Sequence, residues 1–269
     1  MDTVFINLDT IRMLHFNDYF SKIEITPLLE SYDNIIINSL KKTRSLLIDN
    51  KLQLSVSSNE KESEDTIFFT SVKENKILDS ITIPCIDNYL MAYYPYFSAV
   101  NNRFFVHSGL SNELYQIDTE KLSIFPVMVT DYGKKNLTNE ITTDSLGRTA
   151  YKLLEGGHYA VTANIFQNSK YYLIESWYLQ HTFLTFYDRQ SKQTTTGIDY
   201  FSNGIVISDI RETIFPKIQN ITDEALSLMV RDYRINSVID TLYLTEESKK
   251  QLANMEKVNN AVIVKYYFK

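Results

Sequence analysis

Apolar segments and polar turns follow one another in the same order in three separate stretches of the chain. Leu52, Leu54 and Val56 are spaced by Gln53 and Ser55 and lead into Ile67-Phe68-Phe69-Thr70-Ser71-Val72 and the polar Lys73-Glu74-Asn75-Lys76. Phe104-Phe105-Val106-His107 leads into Leu114-Tyr115-Gln116-Ile117 and Asp118-Thr119-Glu120-Lys121. Tyr171-Tyr172-Leu173-Ile174-Glu175 leads into Phe183-Leu184-Thr185-Phe186-Tyr187 and Asp188-Arg189-Gln190-Ser191-Lys192. Short apolar runs bounded by polar turns read as strands, so each stretch predicts an apolar strand, a polar turn, a second strand and a second turn. Short polar marks such as Asp49-Asn50 and Lys73-Glu74-Asn75 suit tight antiparallel connections.

The same pattern predicts strands at Val4–Leu8, at Phe20–Ile25 with Pro27 as its stop, and at Ile35–Ile37, Ser45–Ile48, Leu52–Val56, Thr66–Val72 and Ile77–Ile83. A second unit runs from Tyr96 to Asp131, with strands at Phe97–Val100, Phe104–Ser108, Leu114–Ile117 and Ile124–Val129. The polar, Thr-rich stretch from Leu137 to Glu155 breaks the rhythm, with a helical turn or two around Leu146–Leu154, and a third unit follows from Tyr159 to about Thr196. A less regular fourth unit uses Ile205–Ser208, Thr213–Ile218, Ala225–Val230 and the closing strand Ala261–Phe268. One helix is predicted over Thr245–Met255, where Thr245 offers a cap and Glu246 and Glu247 place negative charge in the first turn. A hairpin repeated at this interval is the signature of radial β-sheet architectures, whose units bury their faces only by stacking on neighbours. The expectation is therefore an all-β, β-propeller-like chain with about four blades' worth of antiparallel strands and one short C-terminal helix, forming one domain over residues 1–269. An unpaired edge would invite aggregation, so Val4–Leu8 or Phe20–Ile25 is expected to pair in the sheet that holds Ala261–Phe268.

Composition agrees with strands: 44% of residues are apolar, and 19 Tyr and 15 Phe supply flat rings for pleated faces. With only 7 Gly and 5 Pro, many turns have to be built from Asn, Asp, Ser and Lys. A net charge of −6 argues against a sequence-independent grip on nucleic acid, and Lys41-Lys42-Thr43-Arg44 reads as a solvated turn. The lone Cys85 can form neither an intrachain disulfide nor a zinc site by itself and reads as a buried, inert thiol. No apolar run is long enough to span a bilayer, and the opening Met1-Asp2-Thr3-Val4-Phe5 has no signal-peptide pattern, so the sequence as written reads as soluble.

Several segments carry a resemblance: Tyr94-Pro95-Tyr96-Phe97, Phe104-Phe105 with Leu114-Tyr115-Gln116-Ile117-Asp118, Phe125-Pro126-Val127-Met128-Val129-Thr130-Asp131-Tyr132-Gly133-Lys134, and Asn164-Ile165-Phe166-Gln167-Asn168-Ser169-Lys170-Tyr171. With the closing Asn260-Ala261-Val262-Ile263-Val264-Lys265-Tyr266, they make the chain resemble the six-bladed β-propeller proteins that are common as exported, often lipid-anchored, proteins of gut-type Gram-negative bacteria. The likeness extends over about Tyr94–Lys269, and Ile23-Glu24-Ile25-Thr26-Pro27-Leu28-Leu29-Glu30 looks like the family's opening strand. The family's Gly-x-Gly-Pro-Gly-Glu-Tyr turn is missing, and between Leu40 and Leu52 the chain passes straight to material typical of a later blade, as if shortened from within. The resemblance implies a periplasmic or cell-surface location and brings no assigned catalytic residues.

Candidate chemistry is sparse. His15, His107, His158 and His181 are scattered without the helical spacing of a zinc protease, and Ser108-Gly109 and Gly156-Gly157 sit in neither a nucleophile elbow nor a phosphate loop, so no metal, cofactor or catalytic residue is predicted. Glu74, Asp118 and Asp188 recur at what read as equivalent turn positions and are assigned to turns. The segment Glu175-Ser176-Trp177-Tyr178-Leu179-Gln180-His181 holds the one Trp; Glu175, Trp177, Tyr178 and His181 could present rings and polar groups to a sugar or peptide. The alternative is that Trp177 and Tyr178 fill a seam between blades. Together these readings favour a non-enzymatic binding or scaffold protein of the bacterial cell envelope, with an unknown protein, peptide or glycan ligand. The competing readings are a glycan- or peptide-active hydrolase or lyase on the same scaffold, and a non-functional shortened propeller.

Overall fold

The computed structural model describes residues 1–12, 14–31, 45–59, 64–84, 96–108, 111–137, 156–179, 181–198, 217–231, 235, 239–255 and 260–269. The expectations for Ile35–Ile37, Lys41–Arg44, Cys85, Tyr94-Pro95, Leu146–Leu154, Ile205–Ser208 and Thr213–Pro216 lie outside these residues.

Among the described residues strands form where they were expected, the first running over Asp2–Phe5 and not on to Leu8. In chain order they are β1 (Asp2–Phe5), β2 (Phe20–Ser31), β3 (Ser45–Ile48), β4 (Leu52–Asn59), β5 (Glu64–Ser71), β6 (Lys76–Pro84), β7 (Tyr96–Val100), β8 (Arg103–His107), β9 (Glu113–Asp118) and β10 (Ser123–Asp131). They continue with β11 (Val161–Gln167), β12 (Tyr171–Tyr178), β13 (His181–Asp188), β14 (Thr194–Ile198), β15 (Lys217–Ile221), β16 (Ala225–Arg231) and β17 (Asn260–Phe268). Among the described residues they form four sheets: sheet 1 is β3-β4-β5-β6, sheet 2 is β7-β8-β9-β10 with β1 added outside β10, sheet 3 is β11-β12-β13-β14, and sheet 4 is β15-β16-β17-β2. The fold is all-β and propeller-like. A single turn, α1 (Phe16–Tyr19), precedes β2, and α2 (Glu246–Asn254) is the predicted C-terminal helix, with the Thr245 side chain accepting from the Ser248 N–H at its start.

Three apolar seams join successive sheets. Leu54, Ile67 and Phe69 of sheet 1 meet Val106, Tyr115 and Ile117 of sheet 2. Leu114 and Met128 of sheet 2 meet Ile165, Tyr172, Ile174 and Phe183 of sheet 3. Leu173, Leu184 and Phe186 of sheet 3 meet Leu226, Leu228, Val264 and Tyr266 of sheet 4. Sheet 3 is therefore apolar on both faces, and every position of β12 except Trp177 is buried. Sheet 1 is one-sided: in β5 buried Asp65, Ile67 and Phe69 alternate with less buried positions. Among the described residues, no core cluster joins sheet 4 back to sheet 1.

The turns show how so few glycines suffice. Asp49-Asn50 and Asn101-Asn102 all take positive φ, between 49 and 60°, as two-residue hairpin turns require. Between the third and fourth strands of three sheets, a side chain caps the turn and the residue four positions on has positive φ: Ser71 with Asn75, Asp118 with Leu122, Asp188 with Lys192. Asp118 accepts from the Glu120 and Lys121 N–H groups and Asp188 from those of Gln190 and Ser191, which holds both carboxyls below their usual range. The position equivalent to these acids in sheet 1 is Ser71, which accepts from the Glu74 N–H; Glu74 is therefore not their counterpart.

Closure follows the expectation for Phe20–Ile25: β2 pairs antiparallel with β17, Ile25 opposite Val264 and Ile23 opposite Tyr266. Pro27, expected to stop the strand, lies within it opposite Val262. It is tolerated because β2 is the outermost strand of its sheet and the register shifts nearby, between Asn260 and Val262, so a missing N–H breaks no interior ladder. The rest of the N-terminal segment works as a strap. β1 runs parallel to β10, with Asp2 opposite Met128, and not in the sheet of β17. Arg12 then bridges to Gly197 in β14, its N–H donating to the Thr196 carbonyl at 3.1 Å. Gly197 permits this approach, since a Cβ there would lie 2.7 Å from the Arg12 carbonyl oxygen.

Candidate functional site

The two ends of the sheets differ in chemistry. At one end, first and second strands, and third and fourth strands, are joined by the tight turns described above. The second-to-third connections and the sheet-to-sheet crossings leave from the other end, and there the apolar seams become polar.

Between sheets 1 and 2, Asp65 near the start of β5 is wholly buried and accepts from the Ser108 hydroxyl just after β8. Between sheets 2 and 3, buried hydroxyls form a chain. Thr130 Oγ1 lies 2.6 Å from Thr162 Oγ1, and the Tyr132 hydroxyl bonds Thr162 Oγ1 at 2.8 Å and Ser176 Oγ at 2.7 Å. Asn112 serves both sides, its carbonyl accepting from the Thr130 N–H at 2.8 Å and its Oδ1 from the Thr162 hydroxyl at 3.3 Å. Burial pushes the Tyr132 phenol up to about 12 against the opposing pull of its bonds to Ser176 and Thr162, so it stays a neutral donor. His107 faces this seam from β8, paired with Leu114; its ring Nε2 lies 2.8 Å from the Ser111 carbonyl oxygen. Burial lowers its imidazole to about 4, with that bond pulling the other way. Between sheets 3 and 4, the Glu175 carboxylate is buried and accepts from Asn164 Nδ2.

The sequence-predicted residues sit at this same polar end, but within strands. Glu175, Trp177 and Tyr178 belong to β12 and His181 to β13; the connection is Leu179, at φ 52°, and Gln180, which lies outside the described residues. Alternation splits the four between two faces. Glu175 and Trp177 are on the face with Leu173, toward sheet 4, whereas Tyr178 packs in the core shared with sheet 2 and pairs with His181. Trp177 is half-buried opposite Val161 and Thr182, Tyr178 is buried, and the His181 ring meets Phe183 edge-on at 6.4 Å. Among the described residues, no three of His, Cys, Asp and Glu gather as a metal cluster would.

Sequence reasoning missed Asn112, Thr130, Tyr132, Thr162, Ser176 and the Asp65–Ser108 pair. One signal was available: Thr162 and Ser176 interrupt inward-facing apolar rows at positions where alternation calls for an apolar residue.

No protein-family model matches the sequence, and no curated protein matches it. Solved structures with similar folds include a candidate exported protein of Bacteroides fragilis, at 9% identity and TM-score 0.49 over 84% of this chain and 77% of that one. They also include the Dos1 propeller, at 10% identity and TM-score 0.33 over 74% of this chain and 46% of that one. A third is a chain from the S. cerevisiae assembly of dbp5 with nup159 and gle1, at 10% identity and TM-score 0.28 over 86% and 49%. No helix among the described residues is long and apolar enough to cross a membrane.

Proposed function

We propose that this protein is a non-enzymatic binding or scaffold protein whose ligand docks at the polar end of the sheets. The observation that carries this reading is that all three seams turn polar at one end, and it is the end from which the second-to-third connections and the crossings leave. Buried polar groups cost stability unless paired; such groups occur in all three seams at this end and in one seam at the opposite end, where buried Asn168 donates to the Thr222 carbonyl between sheets 3 and 4, so the greater number marks this end as specialised. The groups gathered there are hydroxyls, amides and carboxylates beside one half-buried Trp, which suits a protein, peptide or glycan ligand with many hydrogen-bonding groups. The four sheets act as one domain on this reading, because each core cluster draws on two adjacent sheets. The residue resemblance over Tyr94–Lys269 supports a shortened relative of the six-bladed exported propellers, working in the periplasm or at the cell surface.

Glycan and peptide arrays probed with the full chain, followed by titration of any ligand found, test the reading. Trp177 is the only Trp, so its fluorescence should shift on binding, and Trp177→Ala should abolish binding. Its cost in stability should fall below the roughly 3–5 kcal/mol of a fully buried Trp truncation, because part of the ring is exposed. A ligand bound equally well by Trp177→Ala and Tyr132→Phe would refute this location.

A further inference from the structure

Sheets 2, 3 and 4 are fastened to one another in two further ways that bypass sheet 1. The N-terminal strap crosses their outer edges in turn, with β1 on β10, Arg12 at Gly197 of β14 and β2 on β17. At the tight-turn end, the first turns of the same three sheets are bonded together. Asn168 Nδ2 donates to the Thr222 carbonyl at 3.0 Å, the Ser169 N–H donates to Asp223 Oδ1 at 2.7 Å, and the Asn101 side chain bonds the same Asp223 carboxylate. Among the described residues neither fastening reaches sheet 1. It meets sheet 2 through the seam of Leu54, Ile67 and Phe69 and, at the polar end, through Asp65 accepting from Ser108. Its other face is open. Leu47, Gln53, Thr70 and Ile77 form one row across the four strands, and Leu47 and Ile77 each keep 54% of their surface in solvent. Sheet 1 is also a single stretch of chain, residues 45–84, whereas sheets 2 and 4 each take a strand from the N-terminal segment.

We propose that sheet 1 is a separable blade, which detaches from sheet 2 and melts as one unit while sheets 2, 3 and 4 stay folded and joined. Proteins open in contiguous cooperative units, and those with few buried apolar contacts open first. Sheet 3 is a single stretch too, but its departure would break two seams and both fastenings, whereas that of sheet 1 breaks one seam. Once that seam parts, the apolar face of sheet 1 has nothing to pack on, so its hairpins melt with it. The movement uncovers a surface that the closed chain hides: Val106, Tyr115 and Ile117 of sheet 2, beside the Ser108 hydroxyl released from Asp65. Detachment is a property of the chain alone and holds whether or not a ligand docks at the polar end.

Hydrogen exchange of the full chain at pH 7, read by mass spectrometry from no urea to just below the unfolding transition, tests this with two conservative variants. β5 and β12 each lie between two hydrogen-bonded neighbours, so their amides compare like with like. In the wild type β5 should exchange roughly tenfold or more faster than β12. Ile67→Val trims the seam between sheets 1 and 2, and Ile174→Val the seam between sheets 2 and 3; both side chains are wholly buried. Ile67→Val should speed exchange in β5 by roughly two- to tenfold. Ile174→Val should speed β12 by a similar factor and leave β5 unchanged, because its seam stays intact when sheet 1 leaves. Equal protection of β5 and β12, or acceleration of β5 by Ile174→Val, would mean a single cooperative unit and overturn the proposal. Exchange in β5 indifferent to Ile67→Val would mean fraying without detachment and overturn it too.

Discussion

Acidification should weaken this protein before its carboxylates titrate, through His107. The neutral ring donates its Nε2–H to the Ser111 carbonyl, so a second proton must enter at Nδ1, inside the sheet 2–sheet 3 seam. Burial lowers the imidazole from 6.5 to about 4, so the unfolded chain takes up this proton first as the pH falls. The sign follows from linkage. Stability is complete above the unfolded value and is lost as the pH drops from about 6.5 to about 4. Each pH unit between the two values is worth about 1.4 kcal/mol, for about 3 kcal/mol in all, of which about 2 kcal/mol is gone by about pH 5. Urea denaturation at fixed ionic strength across this range, with wild type and His107→Gln, measures it. Gln keeps an N–H for the Ser111 carbonyl and cannot take the proton, so its pH dependence should be flatter by that amount. Parallel curves for the two proteins would refute the argument.

Deleting Asn260–Lys269 removes β17 from between β16 and β2 and strips away the wholly buried Tyr266; the product should be insoluble or markedly destabilised, and a truncated chain that melts like the full one would contradict the closure. Asp188→Ala removes the acceptor for two turn N–H groups and should cost about 1 kcal/mol near neutral pH, measured by thermal denaturation. Because backbone bonds hold its carboxyl low, the Asp188 contribution is present above the unfolded carboxyl range and disappears as the pH falls through its folded value, below the His107 window.

What the sequence disclosed follows from the range over which each feature is encoded. Strands and turns are local: Leu52–Val56 announces itself by alternation, Leu114–Ile117 as a short apolar run before a polar turn, and the Thr245 cap by residues beside it. That Val4–Leu8 or Phe20–Ile25 would pair in the last sheet was legible because an open edge needs a partner, but not which of the two would do so. Pro27 misled because its usual role as a stop applies to interior strands, and β2 proved to be an edge. The Glu74 assignment failed because acids were aligned by type, whereas the turn requires a cap four residues before a positive φ, a place held by Ser71. The polar ends were least legible. Thr130, Thr162 and Ser176 lie far apart along the chain, and a strand Thr or Ser reads the same whether it faces solvent or a buried hydroxyl partner. Glu175, Trp177, Tyr178 and His181 were found as neighbours in sequence, yet adjacent residues of a strand point to opposite faces, so the segment contributes to two seams.

The pairing of β2 with β17 also dictates an order of events during synthesis. β2 can dock only after β17 has been made, with residues 32–259 translated in between. Until then Phe16, Phe20 and Ile23, all fully buried at the end, have no sheet 4 surface to cover. Contacts so distant in sequence slow folding, and exposed apolar segments of nascent chains are aggregation-prone. Sheets 1 to 3, with β1 on β10 and Arg12 at Gly197, can assemble as they emerge, while β2 waits. Completion of sheet 4 therefore waits for β17, and a nascent chain that has not reached Asn260 carries a β2 without its pairing strand.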